Sequence, residues 1–435
     1  MQVQKQLTIP EVYRTHLGGH SLKILILGIN FAPEIISTGL YTTGLARKLS
    51  ARHHDVKVVT AHPYYPAWRR QAGYPRFWYR RAMLDGTVSV IHCPHYVPAH
   101  PSGAKRILHH ASFALTALPV MLYRAATQRP DLVVIVAPAL LAAPVAWLAA
   151  RLSRAKCWLH IQDLEIDAAF ATGLLKKGTR SGRLALMFEK FILSRFDKIS
   201  TLSAPMMQKL REKGVDDSRL YELRNWAELD HISPKDVAPA FKETLGISTP
   251  FVALYSGNLA NKQGLEIIPH VARLLRYRSD LGFVICGDGP MAKSLKAQSE
   301  GSPNISFHPL QPVAAFNDLL GMATIHLLPQ IAGAEDLVLP SKLTNMLASG
   351  RPIVATTAAN SALGQEMEGC GVTTPPGDAA QMAKAIADLL DDPEARARMG
   401  KAARARALDC WDGEAVVDAF VTQADQLIRT GGRSQ

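Results

Sequence analysis

Short apolar runs, often rich in β-branched residues, alternate with helical stretches along almost the whole chain. In the first half, this pattern predicts strands at residues 22–27, 56–60, 88–91, 132–136, 157–161 and 198–201. In the second half, it predicts strands at residues 251–255, 282–286, 305–307, 325–328 and 352–355. A repeated strand-then-helix order indicates a parallel sheet covered by helices. We therefore expect an α/β protein with two Rossmann-like domains in tandem.

The segment between the two series, residues 225–234, is polar and irregular, as an interdomain connector should be. We place the boundary near residue 230, which gives an N-terminal domain at 22–230 and a C-terminal domain at 231–408. Residues 409–435 carry apolar positions at helical spacing and are predicted to form a helix and tail that cross back over the domains. Residues 1–21 lack the apolar core of a secretory signal, so we expect a loose N-terminal extension.

One apolar run, Leu132–Ala150, is nominally long enough to span a bilayer. Its first five residues are rich in β-branched side chains, and Pro138 follows them directly. A β-branched run that is followed directly by proline is typical of a strand buried on both faces, with a helix after it. We therefore predict a strand and a helix here rather than a membrane span.

The composition, with 48% hydrophobic and 20% charged residues in 435, is that of a globular chain rather than a disordered or fibrous one. The five cysteines are scattered without a CxxC spacing, which indicates reduced structural thiols rather than disulfides or a zinc site. The formal net charge of +12 favours anionic partners. No recognition-helix or RNA-binding motif accompanies it, so nucleic acid is not expected as a partner.

The positive charge is concentrated between Tyr65 and His110, where Asp85 is the one acid among seven basic residues: Arg69, Arg70, Arg76, Arg80, Arg81, Lys105 and Arg106. This stretch also contains several aromatic residues and leads into the apolar segment Ile107–Tyr123. Basic and aromatic residues beside an apolar helix suit an anionic membrane surface. A core helix beside a solvated charged face is the alternative.

In sheets of this class, ligands bind at the carboxyl ends of the strands. After the first strand, Gly39 at the start of a helix would let a phosphate approach the backbone, unless the loop is an ordinary turn. After the first strand of the second domain, Lys262 can neutralise a pyrophosphate or be a solvated surface lysine. The next turn contains Gly287 in a GxG pattern, which is too short to identify a dinucleotide site.

Residues 333–345 form the most unusual stretch of the chain. Pro340 and Ser341 can open a helix whose free N–H groups face an anion. Lys342 falls in the first turn of that helix, where a positive charge does not stabilise it. Asn345 could bind a ribose hydroxyl one turn further on, and Glu335 or Asp336 could accept hydrogen bonds from a sugar.

Polar residues also collect at and beyond the end of the predicted strand 157–161, namely His160, Gln162, Asp163, Glu165 and Asp167. Such a concentration at a strand end indicates a functional site. A single histidine beside a strand is nevertheless more often a structural residue.

Taken together, the blocks at 23–34, 61–68, 160–163, 255–264 and 339–345 resemble the retaining GT-B glycosyltransferases of family 4. Within that family the likeness is to the fucosyltransferases of colanic acid exopolysaccharide assembly, and it covers Leu22–Arg429. It implies two Rossmann-like domains facing across a cleft. It also implies a donor site made of Gly39, Asn258, Gly287, Glu335, Asp336, Pro340, Ser341, Lys342, Leu343 and Asn345, with Lys262, Asp163 and His160 as the catalytic residues.

The resemblance further implies that Lys262 and the 340–342 turn hold the donor diphosphate and that Asn345 meets the ribose. Asn258 stands where many relatives have a phosphate-binding arginine, and Asn345 stands where the family's second glutamate usually lies. Either His160 or Gln162 takes the place of the family histidine.

The reaction that the resemblance implies is retaining transfer from a nucleotide-diphospho-sugar, such as GDP-fucose, to a polyprenyl-diphosphate-linked oligosaccharide. It would take place on the cytoplasmic face of the plasma membrane, and we expect it to need no metal and no cofactor. A sugar-nucleotide epimerase and a non-catalytic membrane-associated scaffold are the alternatives.

Overall fold

The computed structural model describes residues 21–34, 37–171, 173–176, 178–227, 229, 231–235, 239–260, 263–331, 340–359 and 361–431. Two sheets follow each other along this part of the chain, and each is covered by helices. The predicted α/β class with two parallel-sheet domains is confirmed.

The N-terminal sheet has eight strands among the described residues: β1 (Lys23–Gly28), β2 (Asp55–Ala61), β3 (Arg80–Leu84), β4 (Val88–Cys93), β5 (Leu132–Ala137), β6 (Lys156–Ile161), β7 (Lys198–Thr201) and β8 (Leu220–Glu222). Their order is β3-β4-β2-β1-β5-β6-β7-β8, and every pairing is parallel except that of β3 with β4. All six strands predicted for this domain are present.

The helices of this domain are α1 (Ser37–Ala51), α2 (Gly103–Gln128), α3 (Ala143–Ser153), α4 (Glu165–Ala171), α5 (Arg180–Arg195) and α6 (Ala204–Glu212). Successive side chains of a strand point to opposite faces of the sheet, so the side chains of β1 pack in two hydrophobic clusters, one on each face. Leu25 and Leu27 pack in one cluster with residues of α2 and α3. Ile24 and Ile26 pack in another with residues of α1. Burial on both faces explains the continuous apolar runs.

The apolar run that could have spanned a bilayer folds as β5, a short 3₁₀ turn and α3. Within the described ranges, every helix is too short or too polar to cross a membrane. The predicted strand followed by a helix is therefore confirmed for Leu132–Ala150.

The C-terminal sheet consists of β9 (Phe251–Ser256), β10 (Leu281–Cys286), β11 (Ile305–His308), β12 (Ile325–Leu328), β13 (Ile353–Thr356) and β14 (Gly371–Thr374). The order is β11-β10-β9-β12-β13-β14, with all pairings parallel. Its helices are α7 (Pro239–Thr244), α8 (Ile267–Leu274), α9 (Ala292–Gln298), α10 (Phe316–Gly321), α11 (Lys342–Ala348), α12 (Ala362–Glu366), α13 (Ala379–Asp391) and α14 (Pro393–Cys410).

The last helix, α15 (Gly413–Gly431), returns to the N-terminal domain, as the sequence predicts. Phe420 is fully buried, with its ring centre 4.7 Å from that of Trp158 on β6. Arg52 of α1 forms ion pairs with Glu414 and Asp418 of α15 at 2.7 and 2.6 Å. Because α14 packs against α11 of the second domain, α14 and α15 tie the two halves together.

Candidate active site

The loops that follow β9 and β10 meet at the carboxyl edge of the C-terminal sheet. Gly257 has φ of +128°, which side-chain-bearing residues rarely adopt. A Cβ on Gly287 would lie 2.0 Å from the carbonyl oxygen of Gly257, so this close approach requires glycine. Asn258 is next along the first loop, and its Oδ1 lies 2.7 Å from the place that a Cβ on Gly289 would take. The predicted donor residues Asn258 and Gly287 therefore belong to one surface.

Lys342, the first residue of α11, extends to this same surface. Its Nζ donates a hydrogen bond to the Tyr255 hydroxyl at 2.5 Å and stands 4.0 Å from the centre of the Tyr255 ring. A Cβ on Gly257 would lie 3.3 Å from that Nζ. The fold thus brings Lys342 together with the 255–264 block, although 87 residues separate Lys342 from Tyr255.

The ammonium group of Lys342 is held in an environment that penalises its charge. Burial lowers the pKa of Lys342 from 10.5 to about 7, and no carboxylate among the described residues offsets that effect. Burial also raises the pKa of Tyr255, so its hydroxyl stays neutral. That hydroxyl can donate to the Asn258 carbonyl at 2.7 Å or to the Gln263 side chain. An anionic ligand at this point would supply the counter-charge that Lys342 lacks.

The remaining predicted donor residues differ in their surroundings. Ser341 is exposed and precedes α11 without capping it through its side chain, and Asn345 is partly exposed one turn further on. The side chain of Leu343, in contrast, is fully buried in a hydrophobic cluster, because it lies on the inward face of α11. This burial gives the Leu343 side chain a packing function. The backbone N–H of Leu343 donates to the Pro340 carbonyl at 3.0 Å.

Three predicted site residues, Lys262, Glu335 and Asp336, lie outside the described residues. Their assignments to catalysis and donor binding remain predictions. Among the residues that are described, sequence reasoning gave no separate function to Tyr255 and Gln263. Both belong to the quoted 255–264 block, but only the fold shows that they contact Lys342 or its partner.

A buried glutamate joins the loops after β1 and β2 in the N-terminal domain. Glu34 Oε1 accepts hydrogen bonds from the backbone N–H groups of Tyr64 and Tyr65 at 2.6 and 2.8 Å. Its Oε2 accepts one from Asn30 Nδ2 at 2.8 Å. Burial raises the pKa of Glu34, although these three bonds oppose the shift. The sequence blocks 23–34 and 61–68, which contain these residues, therefore lie together at the carboxyl edge of the N-terminal sheet.

Gly39 lies in the first turn of α1, against the loop that follows β1. A Cβ at this position would be 3.3 Å from the backbone nitrogen of Phe31 and 3.4 Å from the Cβ of Asn30. A larger residue would push the helix away from the loop. The structure thus shows a packing reason for this glycine, and its predicted contact with donor phosphates remains a prediction.

The loops after β5 and β6 are joined by Glu165, the first residue of α4. Its Oε1 accepts hydrogen bonds from the backbone N–H groups of Ala139 and Leu140 at 2.5 and 2.9 Å, and its Oε2 lies 3.6 Å from His110 Nδ1. Burial disfavours the charged carboxylate, but His110 and the two N–H groups together hold the pKa of Glu165 below its usual range. Asp163 precedes this helix in a partly exposed turn, and its predicted function remains a prediction.

His160 is enclosed by the N-terminal sheet. Its Nδ1 lies 3.0 Å from Ser200 Oγ, which also accepts a hydrogen bond from Trp158 Nε1 at 2.8 Å. Burial lowers the pKa of His160 to about 4, so the imidazole is neutral at pH 7. Gln162, just beyond β6, is also buried, and its backbone N–H donates to the Ala137 carbonyl at 3.2 Å. The structure gives His160 a structural partner, and its catalytic assignment remains a prediction.

Metal ligands do not converge in the part of the chain that the structure describes: no three His, Cys, Asp or Glu side chains are grouped to hold an ion. The five cysteines are free thiols, and all except Cys410 are buried. Among the described residues, the candidate site therefore consists of hydrogen-bonding groups and the half-buried Lys342 cation at the edges of two sheets.

Two parallel-sheet domains of this kind, with ligand-binding groups at their carboxyl edges, define the GT-B class. Residues 38–226 match the family described as "Glycosyl transferase 4-like domain", and residues 238–406 match "Glycosyl transferases group 1". The chain is 42% identical over 356 residues to WcaI of Escherichia coli (strain K12), which is named as a colanic acid biosynthesis glycosyl transferase. The match covers 80% of this chain and 86% of WcaI. The chain therefore belongs to this family of glycosyltransferases.

Solved structures share the fold at low sequence identity. Sucrose-phosphate synthase from Thermosynechococcus elongatus superposes with a TM-score of 0.74 at 16% identity, covering 94% of this chain and 100% of the synthase. Anabaena HepE in complex with UDP superposes with a TM-score of 0.66 at 15% identity, covering 93% of this chain and 100% of HepE. These similarities confirm the two-domain GT-B architecture.

Proposed function

We propose that this glycosyltransferase moves a sugar from a nucleotide-diphospho-sugar to a polyprenyl-diphosphate-linked oligosaccharide, with retention of the anomeric configuration. The observation that carries the proposal is the half-buried Lys342 cation, which has no counter-charge among the described residues at the carboxyl edge of the second domain. The similarity to WcaI supports an exopolysaccharide of the colanic acid type as the product. GDP-fucose or a similar nucleotide-sugar is the proposed donor.

In the proposed reaction, the bond between the anomeric carbon and the diphosphate oxygen breaks as the acceptor hydroxyl attacks from the same face. The departing diphosphate oxygen takes the proton of that hydroxyl, so the step is balanced without a separate base. Negative charge develops on the leaving group, where Lys342 can stabilise it; one positioned donor of this kind contributes about 3 kcal/mol. We assign Lys262 to the same diphosphate and Asp163 to orienting a sugar hydroxyl.

We expect a nucleoside diphosphate, GDP or UDP, to bind the ligand-free protein with an affinity that falls as the pH rises above 7. The free Lys342 has a pKa of about 7, and an adjacent diphosphate would raise it. Binding above pH 7 must therefore take up a proton, and the Kd should increase up to about tenfold per pH unit. The ligand does not contribute in this range, since its last phosphate ionises near pH 6. Calorimetry between pH 7.5 and 8.5, in buffers of different ionisation enthalpy, measures both effects.

The matched control is Lys342→Gln, whose weaker binding should not depend on pH over the same range. A wild-type Kd that does not change between pH 7.5 and 8.5 would contradict contact between Lys342 and the diphosphate. A protein that binds no nucleoside diphosphate at all would favour the non-catalytic scaffold. Epimerised sugar formed from the donor alone would favour the epimerase.

We also propose that the N-terminal domain lies on an anionic membrane surface, where a polyprenyl-linked acceptor would be found. Phe77 and Trp78 are 73% and 75% exposed, and Tyr79 beside them donates a hydrogen bond to the Thr116 carbonyl of α2 at 2.9 Å. Helix α2 exposes Ile107, Leu108 and Leu115 in its N-terminal half, while the side chains on its other face are buried in the core.

We define the aromatic-basic face as a set of exposed apolar and basic residues: Phe77, Trp78, Ile107, Leu108, Leu115, Arg76, Lys105 and Arg106. Exposed apolar groups among cations favour anionic lipid.

We expect the protein to float with anionic liposomes at low salt and the double variant Phe77→Ser, Trp78→Ser to bind them at least about tenfold more weakly, because both substitutions remove apolar area from the face. The control is Tyr277→Ser in the C-terminal domain, where a tyrosine that is 70% exposed lies outside the aromatic-basic face. A flotation assay with and without anionic lipid measures this. Membrane contact through this face would be contradicted if the wild-type protein does not float with anionic liposomes. It would also be contradicted if the double variant floats as well as Tyr277→Ser.

A further inference from the structure

Gln330, just beyond β12, is held in a fixed position at the carboxyl edge of the C-terminal sheet. Its backbone N–H donates to the Thr356 hydroxyl at 2.8 Å, and the same hydroxyl donates to the Gln330 carbonyl at 2.9 Å. The residue is only 9% exposed. Because both backbone groups are bonded, the side chain leaves the sheet edge in a defined direction.

The side-chain oxygen of Gln330 has no hydrogen-bond partner among the residues that the structure describes. This atom, Oε1, is buried. Leaving a buried acceptor unpaired costs about 1–3 kcal/mol, so such atoms are rare unless a ligand satisfies them. An apolar residue of similar length would fill the same volume without that cost. The amide is thus unfavourable for folding and suited to binding.

The surroundings of Gln330 connect it to the proposed diphosphate site. A Cβ on Gly264 would lie 3.0 Å from the Gln330 carbonyl carbon, so the loop after β9 packs directly against this residue. Gln263, the neighbour of Gly264, contacts the Tyr255 hydroxyl to which Lys342 donates. Gln330, just after β12, and Lys342, at the start of α11, therefore border the same loop.

We propose that Gln330 is a specificity-determining residue for the donor sugar, with Oε1 accepting a hydrogen bond from a sugar hydroxyl. This inference rests on the proposed donor site. An acceptor oxygen repels phosphate oxygens, so its partner must be a hydrogen-bond donor, and the sugar attached to the diphosphate carries several hydroxyl groups. Discrimination follows because a sugar that lacks this hydroxyl would leave Oε1 unpaired.

The test compares Gln330→Met with wild type in two calorimetric titrations, one with GDP or UDP and one with the matching nucleotide-sugar, GDP-fucose or UDP-glucose. Methionine keeps the length of the side chain and removes the acceptor. We expect the Kd of the nucleotide-sugar to rise about tenfold and the Kd of the nucleoside diphosphate to change less than about twofold. Gln365→Met, which alters an exposed glutamine on α12, is the matched control and should leave both values unchanged.

The outcomes separate this inference from the proposed function. Equal losses of affinity for the diphosphate and the nucleotide-sugar would overturn the inference, since they would place Gln330 at the phosphates or the base. Unchanged affinity for both ligands would also overturn it. Failure of the wild type to bind any diphosphate would instead overturn the proposed donor site. If Gln330→Met does not fold, Gln330→Asn, which withdraws the amide by one methylene, is measured with the same two ligands.

Discussion

We expect the replacement of Lys342 by glutamine to lower kcat/KM for sugar transfer by about 10²- to 10³-fold. Glutamine can still donate hydrogen bonds, but it carries no positive charge to meet the charge that develops on the leaving diphosphate. Lys342 is half-buried, so water screens its charge less than it screens a fully exposed one, and the lost interaction is correspondingly larger. Steady-state kinetics with the nucleotide-sugar that calorimetry identifies gives kcat and KM separately, and kcat should carry most of the loss.

The control for this experiment is Lys384→Gln, which neutralises an exposed lysine on α13 that pairs with Asp388 on the surface. It should leave kcat/KM unchanged. Lys342→Arg should restore only part of the activity, because the planar guanidinium is larger than the ammonium group beside Tyr255. A Lys342→Gln enzyme that keeps more than about half of the wild-type kcat/KM would remove Lys342 from the proposed chemistry.

We expect the replacement of Phe420 by alanine to destabilise the N-terminal domain by about 3–5 kcal/mol. The ring is fully buried against Trp158, in a cluster that contains β1, α1 and the return helix α15. Alanine would leave a cavity between α15 and the sheet, and the ion pairs of Arg52 are too exposed to replace the lost packing. Urea unfolding followed by tryptophan fluorescence reports this change, since Trp158 lies at the contact.

The matched control is Leu408→Ala on α14, which removes an apolar side chain that is 49% exposed. We expect this variant to unfold at nearly the wild-type urea concentration. A chain of two domains need not unfold in one step, so the transition reported by the N-terminal domain is the one to compare. If Phe420→Ala and Leu408→Ala unfold together, α15 does not stabilise the N-terminal domain through this contact.

The sheet-forming runs were predictable because strands buried on both faces must be apolar throughout. Each of the eleven predicted strands is present, and of these β11, at a sheet edge, is only partly buried. The strands that the pattern missed lack such a run. Strand β3 is Arg-Arg-Ala-Met-Leu on an exposed edge, β8 has three residues and β14 is Gly-Val-Thr-Thr. Their pairing depends on the neighbouring strand rather than on their own hydrophobicity.

For the candidate site, local chemistry singled out Lys342 as a residue with no helix-stabilising reason for its position, and the structure places it beside Tyr255. The same reasoning could not separate it from Leu343, which is one residue away but faces the core. It also grouped His160 with Asp163, although His160 is bonded to Ser200 inside the sheet. Which face of a strand or helix meets the core depends on partners far away in the chain, and single positions do not reveal it.

The amino-acid sequence by itself determined the two α/β domains, and it predicts the connector between them and the loops that can hold a ligand. These properties follow from the periodicity of apolar residues and from the chemistry of glycine, proline and lysine at strand ends. Only the tertiary structure decided that Lys342 stands over Tyr255 and that the Oε1 of Gln330 is buried with no partner among the described residues. The physical reason is that burial and hydrogen bonding depend on contacts between strands and helices distant in sequence, which form only when the sheets are assembled.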